Sequence, residues 1–108
     1  MRAVVDTSHH PAVLAALLEG LTQASAILIA RLGLPPLYHA GVRYQREPRG
    51  RERWQLAPQT YADGVGDCED LATWRAAELR LAGVDARPVV YRAGRRQLHV
   101  VVATPDGY

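Results

Sequence analysis

Residues 68–82 read as a helix specified from end to end, and its first residue is the chain's single cysteine. Asp67 suits the N-cap, where a side-chain oxygen takes a backbone N–H that has no partner inside the helix. Asp70 follows three residues later, the second position of a capping box, with Asp in place of the usual Glu. Leu71, Ala72, Ala76 and Leu79 continue at helical spacing through Ala82. Arg80 falls in the last turn, and Gly83 suits the position just past the helix end. Such a helix needs an apolar surface to pack on, and the sequence provides one directly after it. Residues 86–93 are strand-like around Val89, Val90 and Tyr91, and residues 97–103 carry Leu98 and Val100-Val101-Val102. Gly94-Arg95-Arg96 joins them as a turn, which predicts an antiparallel hairpin. Thr104-Pro105-Asp106-Gly107 signals a further turn, with Tyr108 opening a third strand.

The first part of the chain reads more simply. Leu14, Leu17, Leu18, Leu21, Leu28 and Leu32 recur near helical spacing, predicting an amphipathic helix over residues 11–32. Pro11 suits its start, Gly33 with Pro35-Pro36 suits its stop, and Gly20 is its weak point. A short extended piece is expected near residues 41–44, a turn at residues 47–50, and irregular chain over residues 54–65. With 108 residues, one domain spanning 1–108 is expected, with a helical segment at about 11–33.

Composition narrows the function classes. Every basic side chain is arginine, so lysine chemistry such as a Schiff base is excluded. A net charge of +2 does not argue for nucleic acid. Arg43, Arg46, Arg49, Arg51 and Arg53, interspersed with Glu47 and Glu52, read as a solvated loop with mixed ion pairs, and as a docking patch in the alternative. One cysteine excludes an intrachain disulfide and a zinc site built on several cysteines. The N-terminus does not read as a signal peptide, since Asp6 and His9-His10-Pro11 interrupt it. Residues 14–34 are interrupted by Glu19, Gln23 and Arg31 and read as a poor membrane span. These readings predict a cytoplasmic protein without cofactor or metal, and without nucleic-acid or membrane partners.

Cys68 and His99 carry the chemistry. A thiol attacks an acyl carbon as the thiolate, and a free cysteine ionises near pH ~8.5. A helix N-terminus and a neighbouring imidazolium both favour that anion, whereas Asp67, Glu69 and Asp70 oppose it. His99 shares one strand face with Val101 and Ala103, while Leu98, Val100 and Val102 share the other. Apolar residues on both faces imply a sheet covered on both sides, and a histidine there needs a polar partner. The structural alternative is a cysteine acting as a small core residue and a histidine bonded to a backbone carbonyl. His9, His10 and His39 read as solvated or structural. Arg75 reads as an ion-pair residue that could also contact a substrate carboxylate.

Gly64-Val65-Gly66-Asp67-Cys68-Glu69-Asp70-Leu71-Ala72 resembles the nucleophile motif of transglutaminase-like, papain-like cysteine enzymes. The likeness continues through Ala76-Ala77-Glu78-Leu79-Arg80, through Ala82-Gly83-Val84-Asp85-Ala86-Arg87, and through His99 in Leu98-His99-Val100-Val101-Val102. It spans about residues 54–108, and it is most similar to compact bacterial and phage-type versions. The resemblance implies an α+β fold in which a cysteine-bearing helix packs on a small antiparallel sheet, with an extra N-terminal helix. It also implies a core at about 54–108 lacking its last strands.

By the same resemblance, Cys68 is the nucleophile and His99 its base in acyl transfer on peptide or side-chain amides. Such families add an acid after the histidine, and Asp106 is the one acid that follows His99 here. The backbone N–H of Cys68 is the natural first oxyanion donor, with Trp54, Gln59 and Tyr61 as candidates for the second. The implied partner is a peptide or protein substrate. The competing expectation is an inactive transglutaminase-like fold serving as a structural or assembly module, with virion proteins as partners and a virion-associated location if the chain is phage-encoded.

Overall fold

The computed structural model of the chain describes residues 2–4, 11–46, 53–94 and 97–107. Its elements run β1 (Arg2–Val4), α1 (Pro11–Leu32), a 3-10 turn (Leu37–His39), β2 (Arg43–Tyr44), β3 (Arg53–Gln55), α2 (Ala57–Asp63), β4 (Val65–Gly66), α3 (Cys68–Leu81), β5 (Arg87–Gly94) and β6 (Gln97–Ala103). The architecture is α+β, as expected. The turn expected at residues 47–50, the turn at Arg95-Arg96 and the strand start at Tyr108 lie outside the described residues.

The helix α1 forms over the expected span, but the stripe it buries differs. Leu14, Leu18, Thr22, Ser25 and Ile29 are buried, whereas Leu17 and Leu32 are exposed. Two hydroxyls in the stripe are tolerated because each is satisfied: Thr22 Oγ1 donates to the Leu18 carbonyl at 2.8 Å, and Ser25 Oγ accepts the Ala57 N–H at 3.1 Å. Ala12–Leu32 is long and apolar enough, at mean hydropathy 1.8, to cross a membrane by length and composition alone. It packs on α3 and β5.

Strands β5 and β6 pair antiparallel, with Tyr91 opposite His99 and Val90 opposite Val100. Val100 joins Leu14, Leu18, Trp54 and Ala72 in one buried cluster, and Val90, Val102 and Cys68 pack against it. Both long helices therefore cover the same sheet face. The other face is open at Tyr91, so the expected cover on both sides is absent there. A second cluster, Ile29, Leu37, Ala57, Trp74 and Ala77, joins α1 to α2 and α3. Two small ladders complete the fold, β1 with β3 antiparallel and β2 with β4 parallel.

Residues 54–65 are ordered elements and not irregular chain. Pro58 sits in the first turn of α2, where a missing N–H costs nothing. Gly64 ends the helix at φ 73, and its N–H returns to the Thr60 carbonyl. Pro58 and Gly64, which sit within the span read as irregular, mark the two ends of a short helix.

Candidate active site

The start of α3 is held by reciprocal capping. The Asp70 N–H donates to Asp67 Oδ1 at 3.0 Å, and the Asp67 N–H donates to Asp70 Oδ2 at 3.1 Å. Gln55 Nε2 reaches the same Asp70 oxygen at 3.1 Å, tying β3 to the helix end. Both carboxylates are buried. Burial, followed by the charge of Asp67, pushes the Asp70 carboxyl up to about 8, with the Gln55 amide pulling the other way. Gly66 lies so close that a Cβ there would sit 2.9 Å from Thr60 Cγ2 and 3.0 Å from Asp70 Cβ.

Cys68 is half-buried in the first turn. The backbone N–H groups of Val100 and Glu69 favour its thiolate. They do not prevail: burial, then the charges of Glu69 and Asp67, push the thiol up to about 12. The helix N-terminus alone therefore leaves the sulfur protonated at neutral pH.

Cys68 and His99 line the same cavity of about 520 Å³. It extends between α3 and β6 from Cys68 past Ala72 and Arg75 to Leu79, with Val102 and Tyr38 among its other walls. The His99 ring packs edge-on to Tyr91, with centroids 5.5 Å apart. Asp106 is exposed in the Thr104–Gly107 turn and does not line the cavity.

The other candidates separate by their partners. Gln59 Nε2 donates to Asp63 at 2.8 Å. Tyr61 is exposed and lies edge-on to Trp74 at 6.1 Å. Trp54 is buried in the cluster against which Cys68 packs, and its Nε1 has no hydrogen-bond partner among the described residues. His39 is exposed, and His9 and His10 lie outside the described residues. Arg75 pairs with Glu78 at 2.8 Å and lies over the Tyr38 ring at 4.6 Å. Sequence reasoning overlooked Gln55, Ser25 and Tyr38, whose partners are distant in sequence and leave no local signature.

A family model described as the transglutaminase-like superfamily matches residues 37–106. Comparison with curated proteins and with solved structures gave no match.

Proposed function

Because the chain belongs to the transglutaminase-like superfamily, we propose that it performs cysteine-dependent acyl transfer on peptide or side-chain amides through Cys68 and His99. The observation that carries this reading is the shared cavity: the half-buried sulfur borders it from the Val100 face of the sheet, and His99, paired with Tyr91 on the opposite face, borders it from the β6 strand. The thiol is protonated at rest, so a base must take its proton as the sulfur attacks. His99 is that base. The Sγ–H proton passes to the imidazole, sulfur bonds to the acyl carbon, and the carbonyl electron pair becomes an oxyanion. The imidazolium then protonates the departing amine, leaving a thioester that water opens.

The Cys68 backbone N–H is the first oxyanion donor. Of the three candidates for the second, Trp54 alone has a buried N–H with no partner among the described residues, while the Gln59 amide is engaged with Asp63. Hydrolysis, giving a peptidase or amidase, is the default outcome. Crosslinking requires an amine to outcompete water.

The thiol's high proton affinity favours a second reading, an inactive fold used as a structural or assembly module. Iodoacetamide labelling of Cys68 against pH separates the two. The enzyme labels well below pH ~8 and loses that behaviour in His99→Ala, because the imidazole takes the thiol proton as the sulfur attacks the reagent. Labelling that rises only in strong alkali, and identically in both proteins, supports the inert module.

A further inference from the structure

A helix start has four backbone N–H groups without partners inside the helix, and in α3 they belong to Asp67, Cys68, Glu69 and Asp70. The capping box takes two of them. The Asp67 N–H goes to Asp70 Oδ2, and the Asp70 N–H goes to Asp67 Oδ1. The Glu69 N–H faces the Cys68 sulfur. The Cys68 N–H is left over, and no hydrogen bond takes it among the described residues. It is the donor that acyl transfer needs for its oxyanion.

Asp67 decides whether that donor stays clear. An N-cap side chain can accept from the second helical N–H or the third. Turned to the second, Glu69, the Asp67 carboxylate would lie beside the sulfur and oppose the oxyanion by its charge. Asp70 holds it away from there. The Asp70 carboxyl accepts the Asp67 N–H, and when protonated it also donates to the Asp67 side chain. Gln55 Nε2 steadies the same Asp70 oxygen from β3 at 3.1 Å, and all three side chains are buried. Asp is one methylene shorter than the Glu usual at this position, which draws the helix end against β4. A Cβ on Gly66 would lie 3.0 Å from Asp70 Cβ. Gln55 of β3, Gly66 of β4 and Thr60 of α2 surround this corner and are uncharged, so Asp67 is the charge to which Asp70 responds.

We propose that Asp70, steadied by Gln55, is a positioning residue for acyl transfer: it keeps the Asp67 carboxylate off the sulfur and leaves the Cys68 N–H open to the oxyanion. The inference rests on the acyl-transfer reading and adds to it residues that touch neither substrate nor sulfur.

The test compares two reagents on the same sulfur at pH ~7. Iodoacetamide alkylates it by displacing iodide and forms no oxyanion. With p-nitrophenyl acetate the thiol proton passes to His99, sulfur bonds to the acetyl carbon through an oxyanion, and p-nitrophenolate leaves behind an acetyl thioester. Cys68→Ala supplies the blank. Dividing the acylation rate by the alkylation rate cancels the ionisation and accessibility of the thiol. Asp70→Ala should lower this ratio about tenfold, less than the roughly 10²–10³ lost when an oxyanion donor is deleted outright. Gln55→Leu should lower it in the same direction. Asp70→Asn should retain most of it, because the amide copies both the acceptor and the donor of the protonated acid.

The native protein gives a second measurement that needs no destabilised variant. Its ratio should fall as pH rises through about 8, where Asp70 loses its proton and the two carboxylates repel, and should stay level in Asp70→Asn. Thermal melts confirm that each variant is folded. Absence of Cys68-dependent acylation in the folded native protein overturns the acyl-transfer reading and this inference with it. Cys68-dependent acylation whose ratio to alkylation is unchanged in Asp70→Ala, or level across pH ~8 in the native protein, overturns the inference alone.

Discussion

Arg80 grips Glu19 with both arms of its guanidinium, Nη1 to Oε2 and Nη2 to Oε1, each at 2.6 Å, and so ties α3 to α1. The third edge of the guanidinium, Nε, donates to the Ala86 carbonyl at 2.7 Å, so one side chain joins both helices to the approach of β5. These hydrogen bonds hold the Glu19 carboxyl down to about 2. A depressed carboxyl stabilises the fold above its unfolded value, 4.5, and the contribution is lost as pH falls through about 2. Glu19→Gln should cost about 1 kcal/mol at pH 7, a figure limited by solvent screening of the part-exposed pair. Urea denaturation should show that the variant loses less stability than the native chain between pH ~4.5 and pH ~2.

Asp70 behaves in the opposite sense. Its carboxyl is raised from 3.8 to about 8 by burial and by Asp67, so the folded state holds a proton that the unfolded state releases. That stabilisation is complete below 3.8 and is lost as pH rises through about 8. Asp70→Asn keeps a neutral acceptor for Gln55 and for the Asp67 N–H, so it should flatten the pH dependence across this window. Asp70→Ala should cost about 2 kcal/mol at pH 6, because it removes half the capping box and leaves the Gln55 amide unpaired. Denaturation series at pH 4, 6 and 8 read both outcomes.

Ser25 acts as a cap for a helix to which it does not belong. Leu56, the N-cap of α2, provides no side-chain bond, and the Ala57 N–H goes instead to Ser25 Oγ on α1. Ser25→Ala should leave that buried N–H without a partner and cost about 1–3 kcal/mol. Hydrogen exchange should reveal the loss first at α2, whereas a global loss with unchanged relative protection would contradict the assignment.

Two glycine substitutions should have opposite signs. Gly66→Ala pushes a methyl against Thr60 and Asp70 beside the cap of α3, and should destabilise by about 1–3 kcal/mol. Gly20 sits exposed within α1 with nothing within 4 Å of an added Cβ. Gly20→Ala should therefore stabilise by about 0.5–1 kcal/mol through helix propensity. Paired thermal melts check both.

The legible parts of this fold are those whose causes lie close together in the chain. The capping box of α3 spans four residues and was readable in full, and so was the alternation that builds the β5–β6 hairpin. The helix α2 was missed because seven residues are too few to show apolar periodicity, so the segment holding Pro58 and Gly64 read as irregular chain. The buried stripe of α1 was misjudged because hydrophobicity ranks Leu17 and Leu32 above Thr22 and Ser25. The hydroxyls are inside because Leu18 and Ala57 satisfy them.

The amino-acid order by itself determined that Cys68 opens a capped helix and that His99 lies on the second strand after it, since turns, caps and alternation act over a few residues. Only the tertiary structure decided the proton affinity of the sulfur and the character of its surroundings. Docking α3 onto the Val100 face of the hairpin half-buries Cys68, and desolvation outweighs the helix dipole. The same docking opens the cavity that Cys68 and His99 border. Burial depends on which surfaces meet, and no local stretch of sequence carries that information.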